Sequence, residues 1–368
     1  MDHDTYCPAI HSGISVKVNQ NGNAIVRPCC EMQWDGISLN DANDYFNHTL
    51  IKQLQNDNKK GIWSSYCNQC KTVEDAGEYS YRLSQIDRFK ENNTTNISTL
   101  DLMYDNSCNL ACRSCGPDLS TYWQKHLLDN NIINQRFNNK HSIDLTNKKF
   151  LSLLDSLNIE SISQIKISGG EPFIGTGYWE LLSALPIDII SNTELLIQSN
   201  GTIRLRDNHL KTFEKFRLVK ISFSIDGFGD RFNYLRWPGD WHQLTNNLNY
   251  VRDTVPSNVM FNVEETISIF NLAYHNEVKD WVAANFSSNK DGDPILYNVH
   301  LANGIFSLDQ ITNEYIDDNN HRYINDNFTE NSENIIRMIK VINQFDLIRN
   351  QSWLRTFPKL KDYYRRYI

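Results

Sequence analysis

Cys108, Cys112 and Cys115 fall within eight residues, at the spacing Cys-x3-Cys-x2-Cys in the stretch DNSCNLACRSC from Asp105 to Cys115. A structural zinc or a closed iron–sulfur cluster takes four protein ligands, so three thiolates leave one metal corner open for an exogenous ligand. Five further cysteines, Cys7, Cys29, Cys30, Cys67 and Cys70, precede this loop, and none follows it. A hairpin bearing Cys7 and Cys29, followed by a helix and then the Cys67-x2-Cys70 knuckle, can bring four thiolates to one point. Zinc and a second iron–sulfur cluster both suit such a set.

Three further stretches each end a short apolar run: ISGGEP from Ile167, QSNG from Gln198 and FSIDG from Phe223. Gly169 and Gly170, without Cβ atoms, let backbone approach a ligand closely, and Glu171 follows them as an anion. Ser199 and Asn200 offer polar groups. Asp226 ends its run, and Arg236 further on is a candidate for an anionic group or for a salt bridge to an acid. No Ser–His–Asp or paired-carboxylate arrangement stands out.

Elements that could position these residues alternate as short apolar runs and helical patterns between Ile97 and about Leu301. That pattern predicts βα units around a parallel sheet. Strands are predicted at Thr99–Tyr104, Gln164–Ser168, Glu194–Gln198, Leu218–Ile225, Val259–Glu265 and Ile295–Leu301. Helices are predicted near Leu119–Asn130, Lys149–Leu157, Tyr178–Ala184, Asn208–Lys215, Trp241–Val251 and Glu277–Asn285. Upstream, Ile14–Val18 and Ala24–Arg27 read as a hairpin turning at Asn19–Gly22, and a helix with Ser38 or Asn40 as N-cap is expected to lead toward Cys67. The polar, Asn-rich stretch from Asp129 to Asn147 reads as an insertion, and the chain beyond Leu301 as helical. Three segments are expected: 1–95 carrying the first cysteines, 96–305 as an α/β core and 306–368 as a helical extension.

A length of 368 residues with 40% hydrophobic content accommodates one large domain and a smaller one. No apolar run reaches the length of a bilayer span, and MDHDTYCPAI lacks the layout of a secretory signal, so a cytoplasmic protein with no membrane association is expected. Clustered thiols in such a chain point to metal rather than disulfides. A net charge of -8 gives no reason to expect nucleic acid as a partner.

The cysteine spacing together with LDLMY, ISGGEP, QSNG and FSIDG, in that order, resembles the radical S-adenosylmethionine (radical SAM) superfamily. The resemblance implies a partial (β/α)6 TIM-like barrel with ligands at the C-terminal ends of the strands. It implies that Cys108, Cys112 and Cys115 hold a [4Fe–4S] cluster whose fourth iron takes S-adenosylmethionine. Cleavage then gives a 5′-deoxyadenosyl radical that abstracts hydrogen from substrate. Gly169, Gly170 and Glu171 would serve the methionyl amino group, Ser199 and Asn200 the ribose or carboxylate, Asp226 the ribose or substrate, and Arg236 the carboxylate. Ser114 stands where many members carry an aromatic, and no glycine-rich adenine motif follows the fifth strand. The N-terminal segment resembles the auxiliary-cluster modules called SPASM and twitch, here preceding the core. That likeness implies a second [4Fe–4S] cluster on Cys7, Cys29, Cys67 and Cys70. Cys30 remains as a small buried side chain, a poor free hydrogen donor. The resemblance further implies a peptide or protein side chain as substrate, with a small molecule such as a sugar or nucleoside precursor as the alternative. A ferredoxin or flavodoxin would be the electron donor. A non-catalytic iron–sulfur scaffold is the contrasting class, but it would have no need of an open iron.

Overall fold

Alternation shapes the sheet. Buried apolar residues recur at every second position, as Leu100 and Leu102, Ile165 and Ile167, Leu195 and Ile197, Val219 and Ile221, and Phe261 and Val263. Successive side chains of a strand point to opposite faces, so one face of the sheet is apolar. Tyr178, Leu182, Phe213, Leu244, Leu248 and Val278 complete the core with these residues. Most residues that alternate with the apolar ones are polar (Asp101, Lys166, Gln198, Ser222, Asn262 and Glu264), so the strands read as plain apolar runs are two-faced.

The computed structural model describes residues 5–18, 24–38, 45–75, 77, 79–89, 97–103, 105–134, 159–286, 295–315, 323–324 and 328–368. The turn expected at Asn19–Gly22, the helix expected at Lys149–Leu157 and most of the expected 129–147 insertion lie outside the described residues. The strands are β1 (Gly13–Val18), β2 (Ala24–Arg27), β3 (Ile37–Ser38), β4 (Thr99–Met103), β5 (Gln164–Ile167), β6 (Glu194–Ser199), β7 (Leu218–Ser224), β8 (Val259–Ile267) and β9 (Leu296–Leu301). They form one sheet in the order β3-β2-β1-β4-β5-β6-β7-β8-β9. From β4 to β9 every pairing is parallel, as the partial barrel requires. The N-terminal hairpin extends this sheet, because β1 pairs parallel with β4, Ile14 opposite Leu100.

The helix expected from Ser38 or Asn40 begins at Thr49 instead and runs to Lys59. His48 is its N-cap, accepting from the Leu50 N–H at 3.3 Å. Ile51 and Leu54 face inward. Cys67 ends the short turn Ser65–Cys67, and Cys70 lies in the helix Asn68–Asp75. Residues three apart share a helical face, so the two thiols point the same way.

Near the C-terminus the helix Ser332–Arg349 buries Ile335, Met338, Ile339 and Ile342, one stripe at helical spacing. Asn331 caps its start, and Asn350, at φ 50°, ends it in the left-handed conformation that asparagine tolerates. The stripe belongs to a second core with Tyr234, Phe270, Trp353, Phe357 and Tyr364.

Candidate active site

The loop after β4 is held from several sides. Ser107 donates its backbone N–H to Asp105 Oδ1 at 2.7 Å. Ser120, the N-cap of the helix Thr121–Asp129, donates its hydroxyl to the Leu110 carbonyl at 2.5 Å, and Trp123 Nε1 donates to the Cys112 carbonyl at 2.9 Å. Ala111 N–H meets the Trp237 carbonyl at 2.6 Å, and Arg113 N–H meets the Leu235 carbonyl at 2.7 Å. This backbone clamp sets Arg236 against Cys112, with Nη1 3.9 Å from Sγ. On the other side Asn200 Nδ2 lies 3.9 Å from Cys108 Sγ and donates to Asn109 Oδ1 at 3.0 Å.

Cys108, Cys112 and Cys115 line one cavity of about 360 Å3, together with Ser168, Gly169 and Gly170. Burial pushes the Cys108 thiol up to about 12, with the charge of Cys112 adding to it. Burial also raises Cys112, against the pull of Arg236. Metal binding to such thiols would release their protons. Gly169 and Gly170 have φ of 81° and 52°. A Cβ on Gly170 would sit 2.5 Å from the Ser107 carbonyl oxygen, so only glycine lets these two turns touch. The Ser168 hydroxyl, buried on the cavity wall, meets no partner among the described residues. An open thiol triad, a backbone cradle and an unpaired hydroxyl fit a cluster with a small polar ligand beside it.

The other expected site residues divide. Ser199, Asn200 and Arg236 line the cavity. Asp226 does not reach it: its carboxylate holds Arg236 Nη2 at 2.8 Å and accepts from the Thr266 N–H at 2.9 Å. Glu171 is held by protein donors. Its carboxylate accepts from Asn200 N–H at 2.7 Å, Ser199 Oγ at 3.0 Å and Phe173 N–H at 3.2 Å, tying the end of β5 to that of β6. Burial raises this carboxyl to about 7 despite those donors.

A second cavity is lined by Cys7, Cys29, Cys67 and Cys70. Burial pushes Cys7 up to about 12 and Cys70 up to about 11, with the neighbouring thiols contributing. Among the described residues no three His, Cys, Asp or Glu side chains adopt the arrangement of a single bound ion. Arg27 donates to the carbonyls of Cys30 and Met32, each at 2.5 Å, and so folds the loop after β2. Cys29 faces the second cavity. Cys30 lines the first, where its sulfur accepts from Lys166 Nζ at 3.2 Å. The expected role of Cys30 as a small buried apolar side chain is therefore corrected.

Sequence reasoning missed the support behind the loop. Arg113 Nη2 pairs with Asp346 Oδ1 of the helix Ser332–Arg349 at 2.7 Å, and Arg349 lies over the rings of Trp123 and Trp237. No spacing could reveal an ion pair 233 residues apart in the chain. Lys166 was legible, as a lone cation alternating with isoleucines in QIKI.

Residues 105–268 match the profile of the Radical SAM superfamily. Over that segment the chain is similar to the radical SAM superfamily. No curated protein matches the chain. Among solved structures, the chain is similar to native anSMEcpe with bound AdoMet at 16% identity, covering 69% of this chain and 62% of that one, with a TM-score of 0.40. It thus spans under two thirds of that protein. Streptococcus suis SuiB bound to S-adenosylmethionine is similar at 12% identity over 91% of this chain and 69% of its own, with a TM-score of 0.38. TYW1 with a lysine-pyruvate adduct is similar at 13% identity over 67% and 71%, with a TM-score of 0.28. The segment matched by the profile runs from the cysteine loop to the end of β8. Among the described residues no helix is long and apolar enough to cross a membrane.

Proposed function

We propose that this chain is a radical SAM enzyme that takes a hydrogen atom from a peptide or protein side chain. The observation that carries the proposal is the meeting of Cys108, Cys112 and Cys115 with Gly169, Gly170 and the unpaired Ser168 hydroxyl on one cavity. Bound there, a [4Fe–4S] cluster with S-adenosylmethionine supplies a 5′-deoxyadenosyl radical, chemistry that belongs to the cofactor rather than to side chains. The chain's residues bind and orient. Arg236, anchored by Asp226, presents a cation beside Cys112 for a carboxylate. Gly169 and Gly170 bring backbone to the ligand, and Ser199 and Asn200 contribute polar groups from the end of β6. Cys7, Cys29, Cys67 and Cys70 would hold the auxiliary [4Fe–4S] cluster, with residues 1–95 as its module, 96–305 as the radical SAM core and 306–368 as the helical extension. Eight free cysteines suit a reducing cytoplasm, with a ferredoxin or flavodoxin as electron donor.

A polypeptide substrate is supported by the polar face of the sheet. A third cavity of about 520 Å3, lined by Asn262, Glu264, Asn298 and His300, shares Glu31, Lys166 and Gln198 with the first. Together they make a long open trough for an extended hydrogen-bonding chain. A small polar molecule is the second reading, because the first cavity alone is in the size range of small-ligand sites. Anaerobically reconstituted protein with dithionite should form 5′-deoxyadenosine from S-adenosylmethionine, and Cys112→Ala should form none while keeping its circular dichroism. Wild-type rates in Cys112→Ala would sink the proposal. Peptide-size and small-molecule fractions of a cell extract, added separately, decide the substrate class by which one accelerates 5′-deoxyadenosine release.

A further inference from the structure

Adjacent residues Cys29 and Cys30 face different cavities, and the second of them shares its cavity with the open thiol triad. The Cys30 sulfur is fixed from two sides: it accepts from Lys166 Nζ at 3.2 Å and donates toward Glu31 Oε1 at 3.5 Å. In this geometry the sulfur can donate its hydrogen to the carboxylate while it accepts from the ammonium. Asp101 lies beside this group, 1% exposed, and its charge and that of Lys166 act on one another. Lys166 also lies over the Tyr81 ring, 5.1 Å from its centroid, so the cation is held on the sulfur's side of the cavity. The same wall carries Ser168, 6% exposed, whose hydroxyl has no partner among the described residues. A buried hydroxyl on a cavity wall is free to meet a polar ligand there. A reacting ligand there shares its cavity with the thiol.

We propose that Cys30 gives its thiol hydrogen atom to a carbon radical formed in this cavity, a step that rests on the function proposed above. The S–H bond breaks and a C–H bond forms. The thiyl radical then takes one electron from the low-potential one-electron donor and one proton from solvent to return to thiol. The substrate leaves with a solvent-derived hydrogen on the attacked carbon. Lys166 is the positioning residue.

The test needs no substrate. Reconstituted wild type, Cys30→Ala and Cys30→Ser are incubated with S-adenosylmethionine and dithionite in D2O, where the thiol exchanges to S–D. Deuterium is read per molecule of 5′-deoxyadenosine by mass spectrometry, whatever the rate. Wild type should give at least about five-fold more singly deuterated product than either variant. The serine keeps the hydrogen-bonding shape, but its O–H bond is too strong to donate. In parallel, iodoacetamide labelling of Cys30 in the wild-type holoprotein, mapped by peptide, should slow at least about five-fold with S-adenosylhomocysteine. Equal deuterium in all three proteins, or labelling unmoved by S-adenosylhomocysteine, overturns the role of Cys30 while leaving the function standing. No 5′-deoxyadenosine from any of the three overturns the function itself, and this step with it.

Discussion

Asp346→Ala is expected to loosen the cysteine loop from behind. Asp346 accepts from Arg113 Nη2 at 2.7 Å, from the Tyr234 hydroxyl at 2.7 Å and from the Trp353 N–H at 2.5 Å. The Arg113 side chain is only 1% exposed and lies 4.3 Å from the Tyr234 ring centroid, so it has no water to turn to once the carboxylate is gone. Removing one partner of a buried pair costs about 3–5 kcal/mol, because the other charge stays buried. The two further donors each lose a bond worth about 1 kcal/mol net, but they share one carboxylate and do not simply add. An overall loss near 4 kcal/mol is therefore expected, roughly the range for a broken buried pair. Urea denaturation of cluster-free protein measures it. The double variant Arg113→Met, Asp346→Leu should recover about 2 kcal/mol or more of the summed single losses, since an apolar pair can replace a buried ion pair. A loss under about 1 kcal/mol in Asp346→Ala, or strictly additive single variants, refutes the view that this pair anchors the loop.

Anaerobic reconstitution should give about eight irons per chain, two cubane clusters' worth, and about four in Cys67→Ala, Cys70→Ala. Half the iron with one zinc in the wild type would make the second site structural. Gly170→Ala should destabilise by about 1–3 kcal/mol and cut iron uptake, because its φ of 52° is strained for alanine and its Cβ meets the Ser107 carbonyl; unchanged unfolding and iron content would contradict this. His300 Nε2 lies 2.6 Å from Glu264 Oε2. Burial works to lower the imidazole, but Glu264 outweighs it and holds the ring above its ordinary value. Glu264 in turn is held below the usual carboxylate range by His300, although burial opposes that. The His300 contribution is present below its unfolded pKa and lost as pH rises through the raised folded value. The Glu264 contribution is lost as pH falls through its lowered one. An NMR titration of the ring should show a lower midpoint in Glu264→Gln, and an unmoved midpoint would remove the coupling.

Much of the core was legible because it is written locally. A strand has period 2, and a motif at its end inherits its position from the strand, so Gly169, Ser199 and Asp226 could be placed at neighbouring ends of one parallel sheet. The polar face was equally present in QIKI and LVKISFS, where lysines and serines alternate with apolar residues, but reading those runs as simply apolar concealed it. The helix start at Thr49 was harder to see, because histidine is an uncommon cap beside the serines and asparagines just upstream.

The sequence by itself determined the chemistry on offer: an open thiol triad, two glycines that tolerate positive φ, and enough thiols for a second site. These follow from residue type and short spacing, which act before the chain folds. Only the tertiary structure decided which way each group faces. Adjacent cysteines diverge because Arg27 bends the loop that bears them, and Glu171 turns from the cavity because three donors from neighbouring strand ends and its own turn claim its oxygens. Arg113 finds Asp346 because a distant helix covers the loop from behind. Burial and hydrogen-bond satisfaction are properties of the packed whole, and no spacing along the chain carries them.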